Sequence, residues 1–308
     1  MNLAVQLAPK NPCGLLLANP VMTASGTFGY GTEYDHRFDI QSLGAIVCKG
    51  TTLEPREGNP LPRIAECPGG VLNAIGLQNI GVEALIKEKA PIWSGWQVPV
   101  IVNIAGNTVD QYSLLAEKLD KVPGVSGLEV NISCPNVKCG GVEFGITAAG
   151  AAQVTAAVRA ATSLPVWVKL TPNTADVVGI ARAVVGAGAD ALVLINTLKG
   201  MAVDIKTRRP LLGNITGGLS GPALKPVALR VVYEVASSLS EVPIIGSGGI
   251  MTAEDAIEFF IAGATAVQIG TAHLIDPSAP SNIMTGIREY LSNSGINDLH
   301  ELIGSLRK

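Results

Sequence analysis

Charge is scarce and nearly balanced: 22 Lys and Arg stand against 25 Asp and Glu in 308 residues, a net charge of −3. Such a chain lacks the basic footprint on which nucleic-acid binding depends. Aromatic residues make up only 4%, so the core must be built from Ala, Val, Ile and Leu, a bias that suits parallel strands covered by helices on both faces. The three histidines, His36, His273 and His300, do not converge on any shared element and read as surface or packing residues. The five cysteines (Cys13, Cys48, Cys67, Cys134, Cys139) are odd in number and widely spread. They read as reduced thiols and form no disulfide framework. Without a CxxC pair, a nearby His or a close-spaced quartet, they form neither a metal set nor a cradle for an iron–sulfur cluster. Long apolar runs are also missing: the best candidate, residues 177–198, is broken by Arg182 and Asp190, well short of the ~18 uninterrupted residues a membrane span needs. The amino-terminal stretch has no basic start followed by an apolar core, so no signal peptide is expected and a cytoplasmic location is.

What is present is regular. Eight short apolar, β-branched-rich runs are predicted as strands at residues 21–24, 45–48, 98–102, 128–130, 166–168, 191–195, 243–246 and 266–269. Each ends in a polar residue or glycine: Ser25-Gly26, Lys49-Gly50, Asn103, Asn131, Lys169, Asn196-Thr197, Ser247-Gly248-Gly249 and Gly270-Thr271. Helical patterns lie between most of them, at residues 81–90, 109–121, 148–162, 174–187, 225–239, 253–262 and 282–294. Eight such units predict a single (β/α)8 TIM barrel over residues 1–308, with an open doubly wound sheet as the alternative. Two intervals between strand ends are longer than the rest. They predict enlarged loops at residues 51–79 and 198–221 on the carboxyl face, where a barrel builds its site.

Three constellations carry chemistry. Ser247-Gly248-Gly249 and Gly270-Thr271 follow the last two strands, where glycine lets backbone N–H groups approach an anion; tight turns that need glycine are the plain alternative. Lys49 and Lys169 each close an apolar strand, where lysine is seldom buried without a partner. Cations at a shared mouth suit a carboxylate or an electron-rich ring, although either lysine could simply reach the rim. Asn73, Asn103, Asn131, Asn136 and Asn196 fall at strand ends or in loops, and an amide offers the paired donor and acceptor that a planar imide ring requires. With no histidine available as a base, Cys134 in Asn131-Ile132-Ser133-Cys134-Pro135-Asn136 is left as the candidate, a thiol at a strand end. Taken alone, it reads as a buried structural cysteine. Cys139 keeps that plain reading.

Ala24-Ser25-Gly26, Lys49-Gly50-Thr51, Arg56-Glu57-Gly58-Asn59-Pro60, Asn73-Ala74-Ile75-Gly76-Leu77-Gln78-Asn79, the Asn131–Asn136 segment, Ile195-Asn196-Thr197, Gly217-Gly218-Leu219-Ser220-Gly221 and the two glycine turns together resemble dihydroorotate dehydrogenase. The likeness covers nearly the whole chain in the family's order, and within the family it is to the NAD-linked, two-subunit subclass. The resemblance implies FMN in the barrel and oxidation of dihydroorotate to orotate in pyrimidine (UMP) synthesis. It further implies that electrons leave to NAD+ through a separate subunit carrying FAD and a 2Fe–2S cluster, in a heterotetramer of two subunits of each kind. Carried over, Cys134 would be the base. FMN would be held by Ser25, Lys49, Asn103, Asn131, Lys169, Ile195, Gly221, Gly248, Gly249, Gly270 and Thr271. Substrate would be held by Lys49, Asn73, Ala74, Ile75, Gly76, Leu77, Asn131, Asn196 and Thr197. The chain departs from the family pattern at Cys139 and at residues 144–149. A single-subunit, fumarate-linked relative, another FMN barrel acting on pyrimidines and a non-catalytic phosphate-binding barrel are the alternatives.

Overall fold

The computed structural model describes residues 1–34, 36, 38–133 and 144–307. Cys134, Asn136 and Cys139 lie outside them. Among the described residues one parallel sheet of eight strands forms the centre of the molecule. Its strands in chain order are β1 (Val21–Thr23), β2 (Ile46–Val47), β3 (Val100–Ile104), β4 (Gly127–Asn131), β5 (Val166–Leu170), β6 (Ala191–Leu194), β7 (Ile244–Ser247) and β8 (Ala266–Ile269). From β2 to β8 each strand pairs with the next, and β8 pairs with β1. A parallel bridge between Met22 and Ala45 brings β1 beside β2, and Gly44 N–H donates to the Val21 carbonyl at 2.8 Å, so the ring closes. This is the expected (β/α)8 barrel, and every predicted strand run falls in it.

The strands read as near-continuous apolar runs because both faces are covered: every residue of β3 and β5 is buried. Helices Val109–Leu119, Ala148–Ala161, Val177–Gly186, Lys225–Ser238, Ala253–Ala262 and Ala279–Asn293 supply the outer layer. Their starts are written in the sequence. Thr108, Thr147 and Asp176 each accept a backbone N–H at the first turn, and Gly263 ends its helix in the left-handed region. At Ala253–Ala262 the cap is reciprocal: Asp255 N–H donates to Thr252 Oγ1 while Thr252 N–H donates to Asp255 Oδ2 at 3.0 Å. Thr252→Ala is therefore expected to destabilise the fold by about 1 kcal/mol. The check is a lower urea midpoint at unchanged slope.

The enlarged loops contain more order than expected. Ile64–Cys67, Gly70–Asn73, Leu198–Met201 and Thr216–Ser220 form a four-stranded antiparallel sheet that joins the two insertions. Its central pairing sets Gly218 opposite Asn73. These strands are short, half-buried and rich in glycine, so they lack the β-branched signature of the barrel strands. The glycines have a spatial reason: a Cβ on Gly218 would lie 2.1 Å from Thr197 Oγ1. Among the described residues no helix is long and apolar enough to cross a membrane.

Candidate active site

The carboxyl ends of the strands open into a cavity of about 460 Å³ that reaches under the antiparallel sheet. Ser25, Lys49, Asn103, Asn131, Lys169, Ile195, Gly248, Gly249, Gly270 and Thr271 all line it. So do Asn73, Ala74, Ile75, Gly76, Leu77, Asn196 and Thr197. Among the described residues that the resemblance assigns to FMN or substrate, Gly221 is the one that stands back from the wall. It sits behind Thr271, and its φ of 98° and the Gly70 Cα 2.9 Å from a would-be Cβ require glycine there. Cys134 cannot be placed, since it lies outside the described residues.

The cavity has a polar floor inside the barrel, where most barrels carry aliphatic layers. Glu129 on β4 is wholly buried, Asn103 on β3 and Gln268 on β8 are 1% exposed, and Lys169 on β5 is 4% exposed. Asn103 Nδ2 donates to Glu129 Oε1 at 2.6 Å, and Gln268 Nε2 donates to Glu129 Oε2 at 2.5 Å. Lys169 Nζ lies 3.6 Å from Glu129 Oε1, donates to Gln268 Oε1 at 3.1 Å and reaches Ser25 Oγ at 3.4 Å. A buried charge pair persists only when its remaining hydrogen-bonding capacity is met in this way. Glu129 and Gln268 escaped the sequence reading. The available signal was a carboxylate inside an apolar strand, Leu128-Glu129-Val130, where an unpaired charge is not tolerated.

One floor atom is unmet. Asn103 Oδ1 is buried and has no hydrogen-bond partner among the described residues. Since buried polar atoms are rarely left so, an acceptor here fits a ligand N–H.

At the mouth the amides hold one another. Asn131 Oδ1 accepts from Ser133 N–H at 3.2 Å and from Asn196 Nδ2 at 3.3 Å. Tyr112 Oη donates to the Asn131 carbonyl at 2.7 Å, and Ser133 Oγ donates to the Lys169 carbonyl at 2.9 Å. Asn73 Nδ2 donates to the Gly218 carbonyl across the antiparallel sheet at 3.3 Å. Asn173, which sequence reasoning also missed, ties Thr197 to Lys199 by donating to the Thr197 carbonyl and accepting from Lys199 N–H. Lys49 is half-buried beside the mouth, and that burial pulls its pKa below the usual lysine value, with nearby Glu33 opposing the effect. Its neighbour Cys48 is fully buried, which pushes the thiol up to about 12 and makes it inert as a base at neutral pH.

At the far end of the cavity, Gly248 and Gly249 adopt φ values of 122° and 77°. A Cβ on Gly249 would lie 2.6 Å from the Lys225 backbone nitrogen at the start of helix Lys225–Ser238. Thr271 Oγ1 donates to Ser220 Oγ at 2.9 Å nearby. Lys225 is turned away into ion pairs with Asp255 at 2.7 Å and Glu258 at 2.9 Å. A bare-backbone pocket of this kind suits a phosphate group.

A family model described as dihydroorotate dehydrogenase matches residues 8–291. Among curated relatives, a protein of Geotalea daltonii is 60% identical over 96% of this chain and 96% of its own. One of Geotalea uraniireducens is 59% identical over 95% and 96%, and one of Geobacter sulfurreducens is 54% identical over 99% and 98%. All three are named dihydroorotate dehydrogenase B (NAD(+)), catalytic subunit. The chain belongs to the dihydroorotate dehydrogenase family of oxidoreductases.

Proposed function

We propose that this chain oxidises dihydroorotate to orotate for pyrimidine synthesis as the FMN-bearing catalytic subunit of an NAD-linked pair, over a single domain spanning residues 1–308. One observation carries the reading: a single cavity joins a cation-bearing floor with an unmet acceptor, an amide ring at its mouth and a glycine-lined far end. These are the needs of a phosphorylated ring cofactor stacked beneath a small carboxylated imide. The names of the relatives support the substrate, the NAD+ linkage and the existence of a second subunit.

In this reading Gly248, Gly249, Gly270 and Thr271, backed by Gly221, take the phosphate of FMN. Ser25, Lys49, Asn103, Asn131, Lys169 and Ile195 take its ring. When bound, FMN supplies the acceptor for the hydride lost from C6 of dihydroorotate. The chain supplies the rest. Cys134, as thiolate, removes the C5 proton, so the loss of one proton and one hydride leaves the C5–C6 double bond of orotate. Asn131 and Asn196, already locked together, present their remaining polar atoms to the substrate ring. Asn73 through Leu77 and Thr197 close over it, and Lys49 faces its carboxylate. Electrons leave through a partner subunit carrying FAD and a 2Fe–2S cluster, in an assembly of two subunits of each kind.

Anaerobic mixing of the flavin-loaded chain with dihydroorotate tests the half-reaction. Bleaching of the flavin with formation of one orotate per FMN is expected, and NAD+ reduction should follow only when the partner is added. An unbleached flavin would sink the proposal. Steady turnover with fumarate by the isolated chain would favour the single-subunit relative instead.

The burial of Lys49 gives a further expectation with a definite sign. A lysine whose pKa is lowered loses its charge earlier as pH rises, so orotate affinity should fall on the alkaline side before the range of an ordinary lysine. In Lys49→Met that alkaline loss should vanish, and affinity at neutral pH should drop by roughly 10–100-fold, the worth of a charge-assisted hydrogen bond. Titration of orotate against pH by flavin difference spectra reads both.

A further inference from the structure

We infer that Glu129, which does not itself line the cavity, is the positioning residue of the floor: it dictates the face that Asn103 shows to the ring, balances Lys169 beneath it, and so sets the equilibrium between oxidised and reduced flavin. The inference rests on the FMN reading above. Its basis is the way three strands spend their polar side chains. Asn103 on β3, Lys169 on β5 and Gln268 on β8 all line the cavity and all converge on one buried carboxylate on β4.

A carboxylate only accepts hydrogen bonds. Both amides must therefore turn their NH2 groups toward Glu129. For Gln268 this leaves Oε1 to receive Lys169 Nζ. For Asn103 it leaves Oδ1 as the buried, unmet acceptor. The acceptor character of the floor is thus imposed from beneath, by a fully buried residue that does not line the cavity.

The second consequence is electrostatic. A flavin that has taken up a hydride carries one more negative charge than the oxidised ring, and an uncompensated lysine below it would favour that state. Glu129, 3.6 Å from the lysine nitrogen, offsets the bias. A floor balanced in this way keeps the reduced ring ready to give its electrons up, as a subunit that hands them to a partner requires. In a site shielded from water such effects are larger than at a surface.

Glu129→Gln keeps the shape but must offer an NH2 where one amide partner already offers its own. We expect two changes in the flavin-loaded variant. Anaerobic titration against reference dyes should show the reduced-to-oxidised equilibrium moved at least ten-fold toward reduced, a rise of about 30 mV for a two-electron couple. The visible spectrum of bound FMN should shift, and FMN should bind about ten-fold more weakly. Glu129→Asp, which keeps the charge but is one methylene shorter, should fall between wild type and Glu129→Gln. Should Glu129→Gln purify without flavin, Glu129→Asp carries the test alone, with a shift of at least two-fold in the same direction. An unmoved potential in whichever variant retains flavin overturns the inference, whatever happens to its melting temperature, because a merely structural role would lower stability alone. A wild-type chain that takes up no FMN would overturn the flavin reading, and this inference with it.

Discussion

Flavin in Cys134→Ala is expected to be reduced by dihydroorotate roughly 10²–10⁴-fold more slowly than in wild type at neutral pH, the usual worth of a positioned general base. The expectation rests on the resemblance, and three other titratable groups among the described residues are poorly placed for the role. His273 is buried against Phe28 and Tyr34, with ring centroids 4.6 and 4.4 Å away, and does not line the cavity. Cys48 is held protonated by burial. Lys169 is committed to Glu129 and Gln268. The pH profile provides an independent sign. If the thiolate is the working form, the wild-type rate should climb with pH until the thiol, with an ordinary value near 8.5, has ionised. In Cys134→Ser the rise should move to higher pH, because a hydroxyl ionises far less readily. Rapid-mixing absorbance under anaerobic conditions measures both. An unchanged rate in Cys134→Ala would remove the base assignment while leaving flavin binding intact.

Gly249→Val should purify without colour. At φ 77° a β-branched residue is a steric outlier, and its Cβ would also press within 2.7 Å of the Lys225 side chain. The neighbouring backbone cannot yield easily, because helix Lys225–Ser238 is pinned by the Lys225 ion pairs. The Gly248–Gly249 turn must therefore move out of its present path, and the glycine-lined end of the cavity moves with it. We expect FMN affinity to fall at least about 100-fold, the equivalent of ~2.7 kcal/mol, with dihydroorotate oxidation lost in proportion. The barrel itself should survive, since the turn lies at its rim. Retained far-ultraviolet circular dichroism with no flavin absorbance is the expected pair of observations.

The barrel was legible because its strands are apolar on both faces and each stops at a polar or glycine residue. Residues such as Val166–Leu170 leave little alternative to a covered parallel strand. The candidate site was legible close to the same stops, since Lys49, Asn103, Asn131, Lys169 and Asn196 lie at or within two residues of strand ends and all line the cavity. The sheet over the mouth was not legible, because Gly217 and Gly218 give no strand signal and owe their presence to the close approach of Asn73 and Thr197. Glu129 and Gln268 were missed for a related reason. Their role is set by each other across 139 positions of chain, and no local pattern announces a partner that distant.

That sheet also constrains when the protein can become competent. Gly70–Asn73, which runs directly into the Asn73–Leu77 segment, has its second neighbour in Thr216–Ser220. A ribosome adding about 5–20 residues per second needs on the order of ten seconds to deliver that neighbour after Asn73 has emerged. Throughout that interval Gly70–Asn73 lacks its second neighbour, so pairing with Ile64–Cys67 alone leaves a bare edge of the kind that recruits other chains. Codons between the two insertions that slow synthesis should then lower soluble yield more than the same codons placed after residue 220, even though the finished protein is identical.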